Sequence, residues 1–225
     1  MKKIKPKILK GFRDFLPQQM AIRQKVFDIV KNVFESYGFS AIETPSLEYA
    51  DILLEKYGEE ADKLIYHFKD QGNREVALRY DLTVPLSRII AQYNDQLVKP
   101  FKRYQIQPVW RADKQQKGRY REFTQCDADI VGSNSYLADA EIIALIYDVL
   151  KKIGFEEFTI RVNSRQTLFS IMEKAEVPQE KIITTIRSID KLDKIFVEGV
   201  EEELARKNIK PKVIKEIFLS IKKVK

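Results

Sequence analysis

Residues 100–132 read PFKRYQIQPVWRADKQQKGRYREFTQCDADIVG, and this segment is the most informative about the fold of the chain. Segments 101–111 and 119–131 both have the composition and alternation of long β-strands. The segment between them, 112–118, is polar and ends in glycine, which favours a hairpin. Pro108 cannot donate a backbone hydrogen bond, so we expect the first strand to be irregular at that point.

The period of two along a strand assigns this hairpin two faces. One face is mostly small or apolar and suits a core, with Tyr104, Ile106 and Trp110 from the first strand and Tyr120, Thr124, Cys126, Ala128 and Ile130 from the second. The opposite face carries Arg103, Gln105, Gln107 and Arg111, together with Arg119, Arg121, Phe123, Gln125, Asp127 and Asp129. If the two core faces match, Arg111 and Gln125 project from the same side of the sheet.

This polar face has the groups that a charged, partly aromatic ligand needs. Arginine offers a planar fork of donors for phosphate oxygens, and Phe123 offers a flat surface for a base. Asp129 could hold an ammonium group. The alternative is an antiparallel sheet with one solvated face, and the pattern alone leaves both interpretations open.

Apolar stripes at three- and four-residue steps predict amphipathic helices over 17–37 and 137–153. Pro17 suits the first turn of the earlier helix, and Gly38 suits the left-handed position after its end. Between these helices we expect extended chain over 39–47, a strand over 75–79 and a helix over 84–93.

The last third of the chain follows a different pattern. A further strand is expected over 158–162, and from Arg165 onward helices are broken at Pro178 and Pro211. We therefore place a subdomain boundary near Arg165. Together these elements predict an α+β fold, in which an antiparallel sheet is flanked by helices and followed by a small helical C-terminal appendage.

Composition excludes several kinds of site. Cys126 is the only cysteine and His67 the only histidine, which excludes a disulfide framework, a multi-cysteine zinc site and a multi-histidine metal site. The eight glycines form neither GxGxxG nor GxxxxGK[ST], so these phosphate-binding signatures are missing. No apolar run approaches the ~20 residues of a membrane span, and the N-terminus lacks the apolar region of a secretory signal. A cytoplasmic setting is expected.

The basic excess of the chain lies at its ends. Residues 1–10 carry five lysines and no acid, and residues 206–225 carry eight basic groups and one acid, which equals the whole net charge of +7. Such patches attract phosphates, so a nucleic acid is a reasonable partner. The alternative is that lysine-rich ends only keep the protein soluble.

These residues resemble the histidyl-tRNA synthetases, a family of class II aminoacyl-tRNA synthetases. Segment 100–132 is similar to their motif 2, and RYREFTQCD is its most specific part. GFRDFLP (11–17) resembles their N-terminal signature, YGFSAIETPSLE (37–48) their motif 1, and ALRYDLTVPLSR (77–88) their histidine-binding segment. VNSRQTL and IRSIDKLDK look like the stretch that leads into their helical insertion, so the resemblance spans roughly residue 10 to the end.

The resemblance implies an ATP site around Arg111, which would be the catalytic residue and would contact the α-phosphate and the substrate carboxylate. Asp113 takes the acidic position at the start of the motif 2 loop, where the family usually has glutamate. Arg119 would reach the terminal phosphates, and Phe123 would stack on adenine, although Phe123 could instead belong to the core.

The resemblance also implies a histidine site next to the ATP site. Asp81 would pair with the amino group and Thr83 would form a hydrogen bond nearby, while Gln125, Asp129 and Arg111 would complete the pocket. Asp81 has a second interpretation, because it could cap the helix that follows it.

A member of this family would activate histidine with ATP and Mg²⁺ and transfer it to tRNA(His), as a homodimer formed through the motif 1 helix and strand. Residues 1–165 would be the catalytic core and 166–225 the start of the helical insertion. Motif 3 and the second histidine-specific segment, each with an arginine, are missing from the sequence, so we expect a truncated chain that is poorly active alone. Two alternatives remain, a regulatory subunit of ATP phosphoribosyltransferase that binds histidine without catalysis, and a plain RNA-binding module.

Overall fold

The computed structural model describes residues 5–57, 64–114 and 116–224, and the chain divides into two compact units, one up to Phe158 and one from Thr159. Sequence had suggested a boundary near Arg165. The start of the basic N-terminal segment, residues 1–4, lies outside the described residues. The same holds for Lys225 and for the side chains of Lys222 and Lys223 in the basic C-terminal segment.

Two long helices cover one face of the first unit. Helix α1 (Pro17–Ser36) buries Val30, Val33 and Phe34, as its apolar stripe predicts. The later helix, α4 (Tyr136–Ile153), begins at Ser135, whose hydroxyl accepts a hydrogen bond from the Leu137 N–H at 3.2 Å. It ends at Gly154, where a left-handed backbone closes the last turn. Both predicted helices are confirmed.

Sheet A has the strand order β1–β5–β6 and lies under these two helices. Strands β5 (Phe101–Trp110) and β6 (Glu122–Val131) are antiparallel, with Gln107 opposite Gln125, which confirms the hairpin. Strand β1 (Ser40–Ala41) is short and runs parallel to β5, so the sheet is not wholly antiparallel. Tyr104 and Ile106 of β5 pack with α1 and α4, and this fixes which face is left for the site.

Pro108 does not interrupt β5, contrary to the expectation, because it lies opposite Thr124 within a continuous ladder. The backbone N–H of Trp110 donates to the Arg79 carbonyl at 3.0 Å and points away from β6. The backbone N–H of Arg111 donates to the Arg121 carbonyl at 2.9 Å on the β6 side. Backbone directions alternate along a strand, so the nitrogen of Pro108 also faces away from β6 and no ladder bond is lost.

Sheet B lies beside sheet A and has the order β2–β4–β3, all antiparallel. Its strands are β2 (Leu47–Tyr49), β3 (His67–Lys69) and β4 (Glu75–Leu78), and it packs with α2 (Ala50–Tyr57) and precedes α3 (Thr83–Tyr93). A short 3₁₀ turn follows at Asn94–Gln96. The predicted strand over 75–79 and helix over 84–93 are confirmed, whereas β3 and α2 were not anticipated.

Arg79 joins the two sheets although its side chain is fully buried. Its Nε donates to the Pro108 carbonyl at 2.8 Å, and its Nη1 donates to the Thr44 carbonyl at 2.6 Å. Burial lowers the pKa of this guanidinium, and Glu48 and Glu43 act against that shift. The arginine thus satisfies carbonyls from two separate segments that have no strand partner there.

The strand expected over 158–162 does not form, which corrects the prediction. This segment has no regular structure and falls where the two units meet in sequence. A strand needs a neighbour for its N–H and C=O groups, and no described strand pairs with it.

The second unit is helical, with α5 (Arg165–Lys174), a 3₁₀ turn at Gln179–Lys181, α6 (Ile182–Ile189), α7 (Leu192–Arg206) and α8 (Pro211–Val224). The predicted breaks are confirmed, since Pro178 precedes the 3₁₀ turn and Pro211 opens α8. Among the described residues, none of the helices has the length and apolar character required to cross a bilayer.

Candidate functional site

The end of β5 places Arg111 between two aromatic rings. Its guanidinium carbon is 4.4 Å from the centre of the Tyr80 ring and 5.0 Å from that of Phe123, and its Nε donates to the Tyr80 carbonyl at 3.2 Å. Phe123 is half-buried on the polar face of β6, so it does not belong to the apolar core. The cation–π contacts hold the guanidinium in place while leaving its other donors for a ligand.

A cavity of about 580 Å³ opens in front of Arg111. It is lined by Arg13, Tyr80, Arg111, Asp113, Lys114, Gly118, Arg119, Tyr120 and Phe123. All four residues predicted for the ATP site are therefore brought together here. Four cationic side chains against a single carboxylate suit a polyanion, and the aromatic rings suit a flat heterocycle.

The N-terminal segment supplies a wall of this cavity that sequence reasoning missed. The Gly11 carbonyl accepts the Arg121 N–H at 2.8 Å, and the side chain of Arg121 lies against the Gly11 Cα with its Nε donating to the Asp113 carbonyl at 3.3 Å. The Arg13 guanidinium carbon is 3.3 Å from the centre of the Tyr120 ring. GFRDFLP had been recognised only as a family signature, and nothing in its spacing indicates which loop it contacts.

Gly11 is required at this contact for two reasons. Its φ of +90° is unfavourable for other residues, and a Cβ at this position would lie 2.8 Å from the Arg121 side chain. The base of the loop between β5 and β6 is thus held by the N-terminal segment.

Asp81 caps α3, as its alternative interpretation proposed. Its Oδ1 accepts the N–H groups of Thr83 at 3.0 Å and Val84 at 3.1 Å. Thr83 is exposed at the first position of the helix. The cap fixes the carboxyl group of Asp81 at the helix N-terminus.

The remaining predicted residues lie further along the polar face of β6. Arg111 and Gln125 occupy the same face, as the matched core faces predict, although Gln125 does not line the cavity in front of Arg111. The Gln125 Oε1 is buried and has no hydrogen-bond partner among the described residues. Asp129 forms an ion pair with Arg103 at 2.5 Å.

Asp127 lies between Gln125 and Asp129 on this face, and its environment differs from that of an exposed carboxyl group. Burial raises its pKa, Arg103 acts in the opposite direction, and Asp129 and Asp81 raise it further. Asp81, Asp127 and Asp129 therefore share one electrostatic field with Arg103, which is where a ligand ammonium group would be stabilised.

A protein-held metal ion does not fit this arrangement. Within the described ranges, no three His, Cys, Asp or Glu side chains converge in a way that could hold a metal ion. Mg²⁺ is commonly bound through substrate phosphates and only one or two carboxylates, so Asp113 is the side chain in the cavity that could assist it.

Comparison with known proteins gives a consistent result. A family model described as histidyl-tRNA synthetase matches residues 11–223. A histidine–tRNA ligase of Gloeobacter violaceus is 46% identical and one of Helicobacter hepaticus is 50% identical, with 92% and 90% of this chain covered. The chain spans about half the length of these relatives, 50% and 46% respectively.

Two solved structures share the fold. Histidyl-tRNA synthetase from Nostoc sp. PCC 7120 is 33% identical, with a TM-score of 0.83, 96% of this chain covered and 48% of that one. An ATP phosphoribosyltransferase regulatory subunit/histidyl-tRNA synthetase from Bacillus halodurans C has a TM-score of 0.80 with 96% and 56% covered. The latter is 23% identical, so it supports the fold alone.

Proposed function

The chain belongs to the histidyl-tRNA synthetase family, and from that premise we propose that it is the ATP- and histidine-binding part of a histidine–tRNA ligase. The ligase would activate histidine to histidyl-adenylate and transfer it to tRNA(His). The observation that carries the proposal is the position of the Arg111 guanidinium. It lies between the rings of Tyr80 and Phe123, at the mouth of a cavity lined by cationic side chains. We further propose a cytoplasmic setting, as for other components of protein synthesis.

ATP would bind in the cavity of the loop between β5 and β6. Phe123 would stack on adenine, Arg111 would contact the α-phosphate, and Arg119 would neutralise the terminal phosphates. Lys114 and Arg13 line the same space and would add to this neutralisation. Mg²⁺ would enter as the magnesium salt of ATP, since the described residues offer no site of their own.

Histidine would bind beside ATP, between Arg111 and the carboxylates on β6. Its carboxylate would pair with Arg111, and its ammonium group would face Asp81 and Asp129. Thr83 and the buried, unpartnered Oε1 of Gln125 would provide further hydrogen bonds. The amino acid would thus be fixed at both of its charged ends.

The chemistry requires positioning and charge neutralisation rather than a covalent nucleophile. A carboxylate oxygen of histidine would attack the α-phosphorus in line, forming the acyl–phosphate bond while the bond to the bridging oxygen breaks and pyrophosphate leaves. The terminal ribose hydroxyl of tRNA would then attack the acyl carbon, and AMP would leave. Arg111 would stabilise the charge that develops on the α-phosphate in the first step.

Isothermal titration of the chain with ATP and with histidine tests this proposal. We expect saturable binding of both ligands, each enhanced by the other, and weaker ATP binding on Arg111→Ala. Binding of neither ligand would overturn the proposal. Histidine-dependent pyrophosphate exchange is a second readout, and we expect weak exchange because these residues match only about half of the curated relatives.

A regulatory subunit of ATP phosphoribosyltransferase is the second candidate, because a structure so described shares this fold. Such a subunit would bind histidine without an ATP site. Arg111, Arg119 and Phe123 around one cavity favour the ligase. Histidine binding without any ATP binding in the same titrations would favour the regulator. Steep salt dependence for tRNA binding, with neither small ligand bound, would instead favour the plain RNA-binding module.

We also propose a homodimer formed through α1 and the motif 1 strand region. Leu47, Tyr49 and Phe68 expose 43%, 54% and 46% of their surface on sheet B, and Leu16 and Ile22 are exposed on α1. Such apolar surface is typical of an interface. Light scattering should give twice the monomer mass, and Tyr49→Lys should shift the mass towards the monomer. A monomeric wild-type chain would contradict this assembly.

A further inference from the structure

The polar face of sheet A extends beyond the residues assigned above to a buried arginine. Arg103 lies in β5 directly opposite Asp129 in β6, with its Nη2 2.5 Å from the Asp129 Oδ2. The side chain has no exposed surface, and its Nε finds no hydrogen-bond acceptor among the described residues. Burying an incompletely paired cation is costly, as it also is for Arg79, whose Nη2 likewise lacks a hydrogen-bond partner among the described residues.

Three carboxylates act on this guanidinium from two directions. Asp129 and Asp127 lie on the same face of β6, and Asp81 is fixed at the start of α3 by its capping bonds. Each of the three counters the effect of burial, which lowers the pKa of Arg103. Arg111, at the end of β5, is the other cation that acts on Asp127.

On the polar face of sheet A, the carboxylates of Asp127 and Asp129 stand with the guanidinium of Arg103, so these three side chains together carry one net negative charge. Arg111 lies at the cavity, where it is available to a ligand carboxylate, whereas Arg103 is enclosed and available only to its neighbours. Without Arg103, the carboxylates of Asp127 and Asp129 would repel each other, and Asp129 would lose the guanidinium that lies opposite it.

We propose that Arg103 is a positioning residue of the histidine site, which fixes Asp129 and offsets one carboxylate so that a single net negative charge meets the ammonium group of histidine. The inference rests on the proposed function and assigns Arg103 and Asp127, neither of which the motif comparison had given a role. Arg103 would not contact histidine itself.

Removing Arg103 should make histidine binding depend on protons. With less compensation, the closely spaced carboxylates of Asp127 and Asp129 would retain a shared proton to higher pH than in the wild type, as coupled carboxylates do. That proton must leave before the ammonium group of histidine can bind. Affinity should therefore rise with pH in the variant, whereas it should change little in the wild type.

The test is the affinity for histidine in Arg103→Met, measured by calorimetry at pH 7.5 and 8.5, where the free imidazole is mostly neutral. One linked proton corresponds to a change of up to about tenfold per pH unit. We expect several-fold tighter binding at the higher pH for Arg103→Met and less than about twofold change for the wild type. Arg103→Lys keeps the charge and should restore most of the wild-type profile.

Arg79→Met is the matched control, because Arg79 is equally buried but faces Glu48 and Glu43 instead of the β6 carboxylates. It should lower stability without introducing proton-linked histidine binding. The same pH dependence in Arg79→Met and Arg103→Met would reduce Arg103 to a structural role and overturn the inference.

A titration without ligand separates this inference from the proposed function. The carboxyl carbons of ¹³C-labelled aspartates, followed by NMR, should show one group titrating at higher pH in Arg103→Met, and Asp127→Asn in the same chain should reverse the shift. Identical titrations in wild type and variant would overturn the inference whether or not histidine binds. If Arg103→Met does not fold, Asp127→Asn alone should lower the pH at which the remaining carboxylates titrate. An unchanged titration would contradict the inference that these side chains share one electrostatic field.

Discussion

Tyr104 and Arg103 are neighbours in β5, yet one lies under α1 and α4 and the other on the opposite side of the sheet among carboxylates. On the helix side, packing is mostly apolar, and the Tyr104 hydroxyl adds a hydrogen bond to Glu35 at 2.9 Å. On the site side, Arg79, Arg103 and Gln105 are buried polar groups whose partners must be matched individually. The comparison teaches that one strand can separate stability from function, because successive side chains point to opposite faces.

The largest effect is expected on the helix side. Phe34 is 4% exposed and packs against Tyr104, with ring centres 5.5 Å apart. Phe34→Ala should lower the free energy of unfolding by about 3–4 kcal/mol, through lost burial and the resulting cavity. Chemical denaturation measures this, with Lys31→Ala on the exposed side of the same helix as the control, expected to change the free energy of unfolding by less than about 0.5 kcal/mol. Equal losses would show that α1 is not anchored through Phe34.

Arg111→Ala should weaken ATP binding and leave stability nearly unchanged, whereas Phe34→Ala acts on stability. Loss of charge-assisted hydrogen bonds to phosphate corresponds to about 1.5–3 kcal/mol, or roughly 10- to 150-fold weaker ATP binding. Stability should change little because Arg111 is half-buried at the mouth of the cavity. Calorimetry and circular dichroism check the two quantities, with Arg74→Ala, in the exposed connection between β3 and β4, as the control. Collapse of the fold would assign Arg111 a structural role.

Asp81→Asn should discriminate between the two ligands. Asparagine can keep the cap on α3, but it removes the negative charge that would face the ammonium group of histidine. We expect roughly 10-fold weaker histidine binding, equivalent to about 1.4 kcal/mol, and a smaller effect on ATP. Asp95→Asn, in the exposed 3₁₀ turn, should affect neither ligand. Equal losses for both ligands would count against the assignment.

The smallest effect concerns the pH dependence of stability. Burial raises the pKa of Asp127 in the folded state, so this group favours folding when it is protonated and loses that contribution as the pH rises through the folded-state pKa. Asp127→Asn mimics the protonated form, so it should raise the melting temperature slightly at pH 7. The gain should fade below about pH 4, where the wild-type group is protonated in both states. A gain that persists at low pH, or one equal to that of exposed Asp28→Asn, would argue against this cause.

Much of the fold was predictable from periodicity, because the helices and the hairpin each satisfy their own hydrogen bonds locally or with an immediate neighbour in sequence. The helix over 137–153 and the pairing of 101–111 with 119–131 needed no distant information. The strand over 158–162 failed for the complementary reason, since its composition is suitable but no described strand pairs with it. Pro108 was also misjudged, because the direction of its missing N–H depends on register.

The site was predictable in part. Alternation along β5 and β6 assigned Arg111, Phe123, Gln125 and Asp129 to one face, and the register agrees. The contact of Arg13 with Tyr120 was not predictable, because more than a hundred residues separate the two in sequence and no periodicity links them. The same is true of Arg79, whose acceptors come from segments that lie apart in the chain.

By itself the sequence determined the helices, the hairpin, the two faces of β5 and β6, and the family to which RYREFTQCD belongs. Only the tertiary structure decided that Arg13 lines the cavity in front of Arg111, that Gly11 contacts Arg121, that Asp81 caps α3, and that the buried Arg103 pairs with Asp129. The reason is physical: periodicity follows from local backbone geometry, whereas burial of a charge and approach of distant segments depend on the whole packed chain.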